Sequence, residues 1–120
     1  MKKLSIALAV ALLCGAVAMV STAGARGKAA TTVTIKYNGD GFQGKVKSSK
    51  AKCVKKRTVK VYKQKGNGQD LSIDKKLFKD TTDSEGHWDT GNSGQAKGKF
   101  YAYAPGTTGC RKGFSTTIKV

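Results

Sequence analysis

The chain has 120 residues, with 23 lysines and arginines against 7 aspartates and glutamates, for a formal net charge of +16. That length fits a single domain, and so few acids exclude a surface that neutralises itself through ion pairs. One histidine and three cysteines exclude a histidine-rich metal site, a four-cysteine zinc site and a lattice of several disulfides.

Residues 1–25 read as an export signal. Lys2 and Lys3 precede an apolar run from Leu4 to Val20, and Ser21-Thr22-Ala23-Gly24-Ala25 supplies a small-residue exit. Cleavage is expected after Ala25 or Ala23, giving a secreted, extracellular protein. A retained anchor is the alternative, because the apolar run approaches the roughly 17 residues that a membrane span requires. A lipid-modified Cys14 is a second alternative. It is disfavoured by Leu13, which stands where a signal peptidase needs a small side chain. Loss of the two signal lysines lowers the charge from +16 to +14, since all 7 acids lie further along the chain. No transmembrane span is expected after cleavage.

Residues 26–31 form a polar lead-in without periodicity. Residues 32–120 follow as the domain. Val33, Ile35 and Tyr37 alternate with Thr34 and Lys36, predicting a half-buried strand before the Asn38-Gly39-Asp40-Gly41 turn. Extended structure resumes over Phe42–Val46. Ser48–Cys53 reads as a lysine-rich loop. Arg57–Lys63 is the clearest strand, with Val59 and Val61 on one face and Thr58, Lys60 and Tyr62 on the other. Gly66-Asn67-Gly68 ends it, and Leu71 and Ile73 predict a further short strand. Lys75–Lys79 is ambiguous, although Thr81-Thr82 favour extension.

Asp83-Ser84-Glu85-Gly86 has the chemistry of a tight turn, followed by a strand that points Trp88 inward. Gly91–Gly98 is a Gly/Ser/Asn loop. Phe100, Ala102 and Ala104 then alternate with Tyr101 and Tyr103 before Pro105-Gly106. Phe114, Thr116, Ile118 and Val120 mark the last strand. About seven short strands divided by turn signals predict an all-β, antiparallel β-sandwich.

Cys53 and Cys110 remain once the signal is removed. In an exported domain they are expected to pair, closing a loop of about 58 residues worth roughly 4 kcal/mol on the chain-entropy model. A metal site or reactive thiol lacks the flanking ligands.

The positive charge is uneven. Lys45, Lys47, Lys50, Lys52, Lys55, Lys56, Arg57, Lys60, Lys63 and Lys65 occur with no acid among them, while the acids gather mainly between Asp70 and Asp89. The expected role of the basic run is a binding face for an anionic cell-envelope polymer or polysaccharide. Its alternative is a solvated face that keeps a small secreted monomer soluble. Lysine greatly outnumbers arginine, so binding should be diffuse and salt-sensitive, without specific nucleic-acid readout.

Nothing in the sequence assembles a reaction centre. His87 is the lone imidazole, and neighbours such as Asp83 and Ser84 sit within one turn of chain. Asp80, Asp83, Glu85 and Asp89 do not follow a calcium-loop order and suit turn capping. Lys97–Tyr103 mixes basic and aromatic residues, but lacks the order of an RNA-binding strand. No catalytic residue, metal or cofactor is expected.

Three stretches carry a resemblance. They are Phe42–Ser48 with Cys53 and Arg57–Tyr62; Thr82–Trp88; and Gly98–Ala102 with Cys110 and Thr117–Val120. This layout resembles small secreted, lysine-rich proteins of actinobacteria and the transthyretin-like or carboxypeptidase regulatory-like β-sandwich group. The resemblance implies an immunoglobulin-like or prealbumin-like sandwich with an accessory, adhesive or stabilising role, and it supplies no catalytic residues. The strong positive charge departs from the neutral members of that group.

Overall fold

The computed structural model describes residues 27–94 and 97–120. The export segment with Cys14, residue Arg26 of the lead-in, and Gln95 and Ala96 of the Gly91–Gly98 loop lie outside the described residues. The described chain is all-β, with one short 3₁₀ turn at Ala51–Cys53. Its strands are β1 (Thr32–Val33), β2 (Lys36–Tyr37), β3 (Phe42–Lys47), β4 (Thr58–Lys63), β5 (Lys75–Thr81), β6 (His87–Asp89), β7 (Lys99–Ala104), β8 (Gly113–Phe114) and β9 (Ile118–Lys119). No helix among the described residues is long and apolar enough to cross a membrane.

Two antiparallel sheets form. In the smaller, β3 is flanked by β1 and β2 on one edge and β6 on the other; in the larger, the order is β5-β4-β7, with β8 and β9 both on the far edge of β7. Val33, Phe42, Val46 and Trp88 from the smaller sheet meet Val59, Val61, Phe100, Ala102 and Ala104 from the larger. These are the residues whose period-two pattern marks an inward face, and each large side chain buried there contributes about 1.5–3 kcal/mol.

Three expected strands are altered by local hydrogen bonding. The strand over Val33–Tyr37 is split because the Thr34 hydroxyl accepts from Lys45 N–H at 2.9 Å, displacing a ladder bond. The chain there presses onto Gly44, where any Cβ would collide with the Thr34 carbonyl and the Trp88 ring. The last strand is likewise split into β8 and β9, since the Ser115 hydroxyl takes the Ala102 N–H at 2.8 Å.

Leu71–Ile73 is not a strand but a turn. Asp74 organises it, its carboxylate accepting from Lys65 N–H at 2.9 Å, Asp70 N–H at 2.7 Å and the Tyr101 hydroxyl at 2.6 Å. Gln69 ties the same segment to Ser115 O and the Thr117 hydroxyl, both at 2.9 Å. The segment therefore crosses the outer face of the larger sheet, leaving Leu71 and Ile73 exposed.

The ambiguous Lys75–Lys79 stretch is extended, as part of β5. Its register against β4 slips once: Val61 faces Phe78 but Tyr62 faces Lys76. Leu77 is the extra residue of this bulge, so Leu77 and Phe78 both pack against the core although adjacent in sequence.

Cys53 and Cys110 are disulfide-bonded, with Cα atoms 5.5 Å apart. The bond closes one end of the sandwich. Ala29 of the lead-in joins it there, donating to Gly109 O at 2.9 Å and accepting from Arg111 N–H at 2.8 Å. The Thr82–Gly86 turn packs at the same end. Gly86 has φ +88°, and a Cβ on it would meet the Val46 carbonyl, so the turn admits only glycine there.

Candidate functional site

The basic run Lys45–Lys65 does not form one face. Lys45 and Lys47 lie on β3 of the smaller sheet, Lys50, Lys52, Lys55 and Lys56 surround the disulfide end, and Lys60 lies on β4 in the larger sheet. Lys63 and Lys65 lie at the far end of β4. A strand advances about 3.3 Å per residue, so the six residues of β4 alone separate the two basic ends by the length of the sandwich core.

Arg57 leaves the surface altogether. It is 2 % exposed. One terminal nitrogen donates to Cys53 O at 2.8 Å and the Thr31 hydroxyl at 3.1 Å; the other donates to Pro105 O at 3.0 Å and Arg111 O at 3.1 Å. Its backbone N–H donates to the buried Thr82 hydroxyl at 2.8 Å. Burial lowers the guanidinium pKa from its ordinary value. A planar fork can serve four acceptors on separate segments in this way, whereas an ammonium cannot. Arg57 is thus a knot in the disulfide end and not part of a ligand-binding face.

The larger sheet gathers lysines that the linear run does not predict. Lys60 stands directly opposite Lys79, Lys63 opposite Lys75, and Lys99 opposite Lys119. Like charges in register destabilise a sheet. No lysine or arginine forms an ion pair with a carboxylate among the described residues; the charge contacts present are His87 with Asp83 at 3.5 Å and Glu85 at 3.7 Å.

Two surfaces result. On the outer face, strand pairing sets Lys79, Lys60, Tyr103 and Phe114 in one transverse row over β5, β4, β7 and β8. Three inter-strand spacings make the row about 14 Å long. The rings of Tyr103 and Phe114 are 4.7 Å apart, and Phe114 is 38 % exposed. Tyr62 and Tyr101 stack beside them at 5.6 Å. Burial, then its bond to Asp74, raises the Tyr101 hydroxyl pKa well above the ordinary phenol value. Desolvation works against the Asp74 carboxylate, but the Tyr101 bond and the backbone donors outweigh it and hold its pKa below the usual range.

The second surface is a cleft of about 690 Å³ on the larger sheet, at the end opposite the disulfide, lined by β4, β5, β7 and by Gln64, Lys65, Ser93 and Lys97 of the flanking loops. Leu77, Phe78 and Phe100 form its floor, and Lys63, Lys65, Lys75 and Lys97 its rim. Lys63 belongs to the inward-facing set of β4, in register with Phe100. The β5 bulge turns Lys75 inward beside it.

His87 is exposed on a strand of the smaller sheet. Asp83 Oδ1 accepts the N–H groups of Glu85 and His87, both at 2.9 Å, and the His87 bond is the main reason that the Asp83 pKa is lowered. Asp80 accepts the Asp89 N–H at 2.7 Å. These acids cap backbone. Among the described residues no group of three histidine, cysteine or acidic side chains is placed to hold a metal ion.

Sequence reasoning missed Lys75, Lys79 and Lys97, which lie outside the dense run, and Phe114, which it assigned only to a strand. Alternation in β4 and β7 places Lys60 and Tyr103 outward; only the register brings Lys79 and Phe114 to them. Searched against known proteins, the chain matches no family model, no curated protein and no solved structure.

Proposed function

We propose that this chain is a non-enzymatic, exported β-sandwich module that binds an anionic polymer, an acidic polysaccharide of the cell envelope above all. The observation that carries this reading is the Lys79–Lys60–Tyr103–Phe114 row. Its two lysines stand opposite one another without a carboxylate partner, a placement that costs the sheet stability and gives an anion two converging charges. The adjoining rings offer a flat apolar platform for a sugar face. Lysine without arginine suits diffuse, salt-sensitive attraction over bidentate readout.

The finer fold reading is a prealbumin-like sandwich. The Val59–Tyr62 strand and the Thr82–Trp88 turn support it, and in this chain both stretches serve packing: Val59, Val61 and Trp88 in the core, Thr82 and Gly86 at the turn. The protein acts as a monomer.

Retention of the purified protein on immobilised polygalacturonate, with neutral dextran as control, tests the function. Binding is expected to fall steeply with salt and to fall about tenfold in Lys60→Ser/Lys79→Ser. Equal retention of the variant, or none at low salt, overturns the proposal. A second reading, an accessory protein-interaction domain whose lysines serve solubility, is favoured by the exposure of Leu71 at 36 %, Ile73 at 53 % and Phe114 at 38 %. That reading expects capture of a protein partner to survive high salt and to be lost in Ile73→Ser/Phe114→Ser.

A further inference from the structure

The cleft at the open end differs in kind from the outer row. Its floor belongs to the core: Phe100 is 2 % exposed, and Leu77 and Phe78 are half-buried. Its rim is cationic, and among the described residues no acidic side chain lines it. Charge therefore sits at the mouth and apolar surface below it, the polarity of a molecule with an anionic head and a hydrocarbon body. The volume of about 690 Å³ falls within the range of small-molecule sites, roughly 300–1,000 Å³.

The local structure that makes this polarity is specific. An unbulged β5 would turn Leu77 outward and give the floor one apolar side chain fewer. The register slip adds Leu77 to the floor and returns Lys75 to the inner face, directly opposite Lys63. Bulges commonly re-aim side chains at ligand sites. An inner sheet face that ends in two opposed lysines is unfavourable when empty, and an anionic head between them removes that repulsion. Lys65 adds its charge at the mouth. The field of the nearby Asp74 carboxylate offsets part of that charge, which leaves the opposed Lys63 and Lys75 as the main cationic pair.

We infer that the cleft between Lys63, Lys75, Leu77 and Phe100 binds one long-chain acyl anion per domain, with its head at the lysines and its chain on the apolar floor. This site is separate from the outer row and does not depend on polymer binding.

Calorimetric titration of the oxidised protein with octanoate, decanoate and dodecanoate, each below its micelle concentration, tests it. Dodecanol and inorganic phosphate serve as the two halves of the ligand. Expected are a stoichiometry of one, tightening of about fourfold per added methylene while the chain still finds floor, binding of dodecanol at least tenfold weaker, and no heat from phosphate. Lys63→Ser/Lys75→Ser is expected to weaken dodecanoate binding at least tenfold with an unchanged circular dichroism spectrum.

Amide NMR shifts on titration locate the site independently of any variant. Shifts at Leu77, Phe78 and Phe100 support the inference. Shifts confined to Leu71, Ile73 and Phe114 overturn it, as does phosphate binding as tightly as dodecanoate, or uptake of many molecules without saturation. Loss of polygalacturonate retention in Lys60→Ser/Lys79→Ser with dodecanoate binding intact would separate the two surfaces.

Discussion

The two ends of the sandwich are both rich in cations and use them in opposite ways. At the disulfide end, Arg57 is buried, its terminal nitrogens bound to acceptors on four segments, and a covalent bond lies beside it. At the cleft end, Lys63 and Lys75 stand opposite one another on adjacent strands, and neither is ion-paired with a carboxylate among the described residues. A cation whose terminal nitrogens are held by protein acceptors belongs to the fold, even though the buried Arg57 Nε has no acceptor among the described residues, and its removal leaves those acceptors orphaned. A charge held against its like is available to a ligand, and its removal relieves strain. The difference teaches that net charge alone does not locate function in a basic protein; the partners of each cation do.

The largest expected effect falls on the disulfide end. Replacing Cys53 and Cys110 by serine should lower stability by about 4 kcal/mol, read from the unfolding free energy with the denaturant slope fitted freely, since the uncrosslinked unfolded chain exposes more surface. A change below 1 kcal/mol would mean that the end is held by packing and Arg57 alone. Next comes Arg57→Lys. It keeps the charge and loses the fork, so a loss of about 3 kcal/mol is expected; a neutral outcome would return Arg57 to the surface lysines and erase the contrast.

The pH dependence probes the segment between the ends. The Asp74 pKa is lower in the folded than in the unfolded state, so its contribution is complete above about pH 4 and is lost as pH falls through the folded value. The Tyr101 pKa is raised, so its contribution is complete below about pH 10 and is lost as pH rises through the folded value. Tyr101→Phe should therefore flatten the alkaline limb of the melting-temperature profile, and an unchanged limb would show that burial of Tyr101 has no linkage to folding.

The smallest effect has the opposite sign. Lys79→Glu places an acid opposite Lys60 and should raise stability by about 0.5 kcal/mol while weakening polymer retention about tenfold. A destabilised Lys79→Glu would show that the opposed lysines do not repel one another and would remove the main support for the outer row.

The parts of the fold that local chemistry decides are legible in the sequence. Val59 and Val61, the Phe100-Ala102-Ala104 series and Trp88 take the inward positions that alternation assigns them, and the two cysteines pair. Where a side chain replaces a backbone partner, at Thr34 and Ser115, continuous strands are expected and split ones are found, because alternation says nothing about which oxygen accepts a ladder hydrogen bond. Leu71–Ile73 fails for a related reason: a short alternation also fits a turn when an aspartate such as Asp74 gathers the amides. The candidate surfaces are the least legible. The bulge at Leu77 sets which lysines meet, and it depends on pairing between strands that the sequence does not announce. Arg57 did carry a signal. It is the sole arginine within the Lys45–Lys65 run, and a guanidinium among ammonium groups points to fixed, multidentate bonding.

The position of the disulfide also bears on how the protein fares when a protease cuts it. Glycine-rich, exposed backbone of this sort is a preferred site of nicking, and Gly91 and Gly94 lie in such a stretch between Cys53 and Cys110. A cut there leaves two fragments that share the β4–β7 ladder and a covalent tether. The clipped protein would run as one species until reduced, and its larger sheet would still hold strands from both pieces.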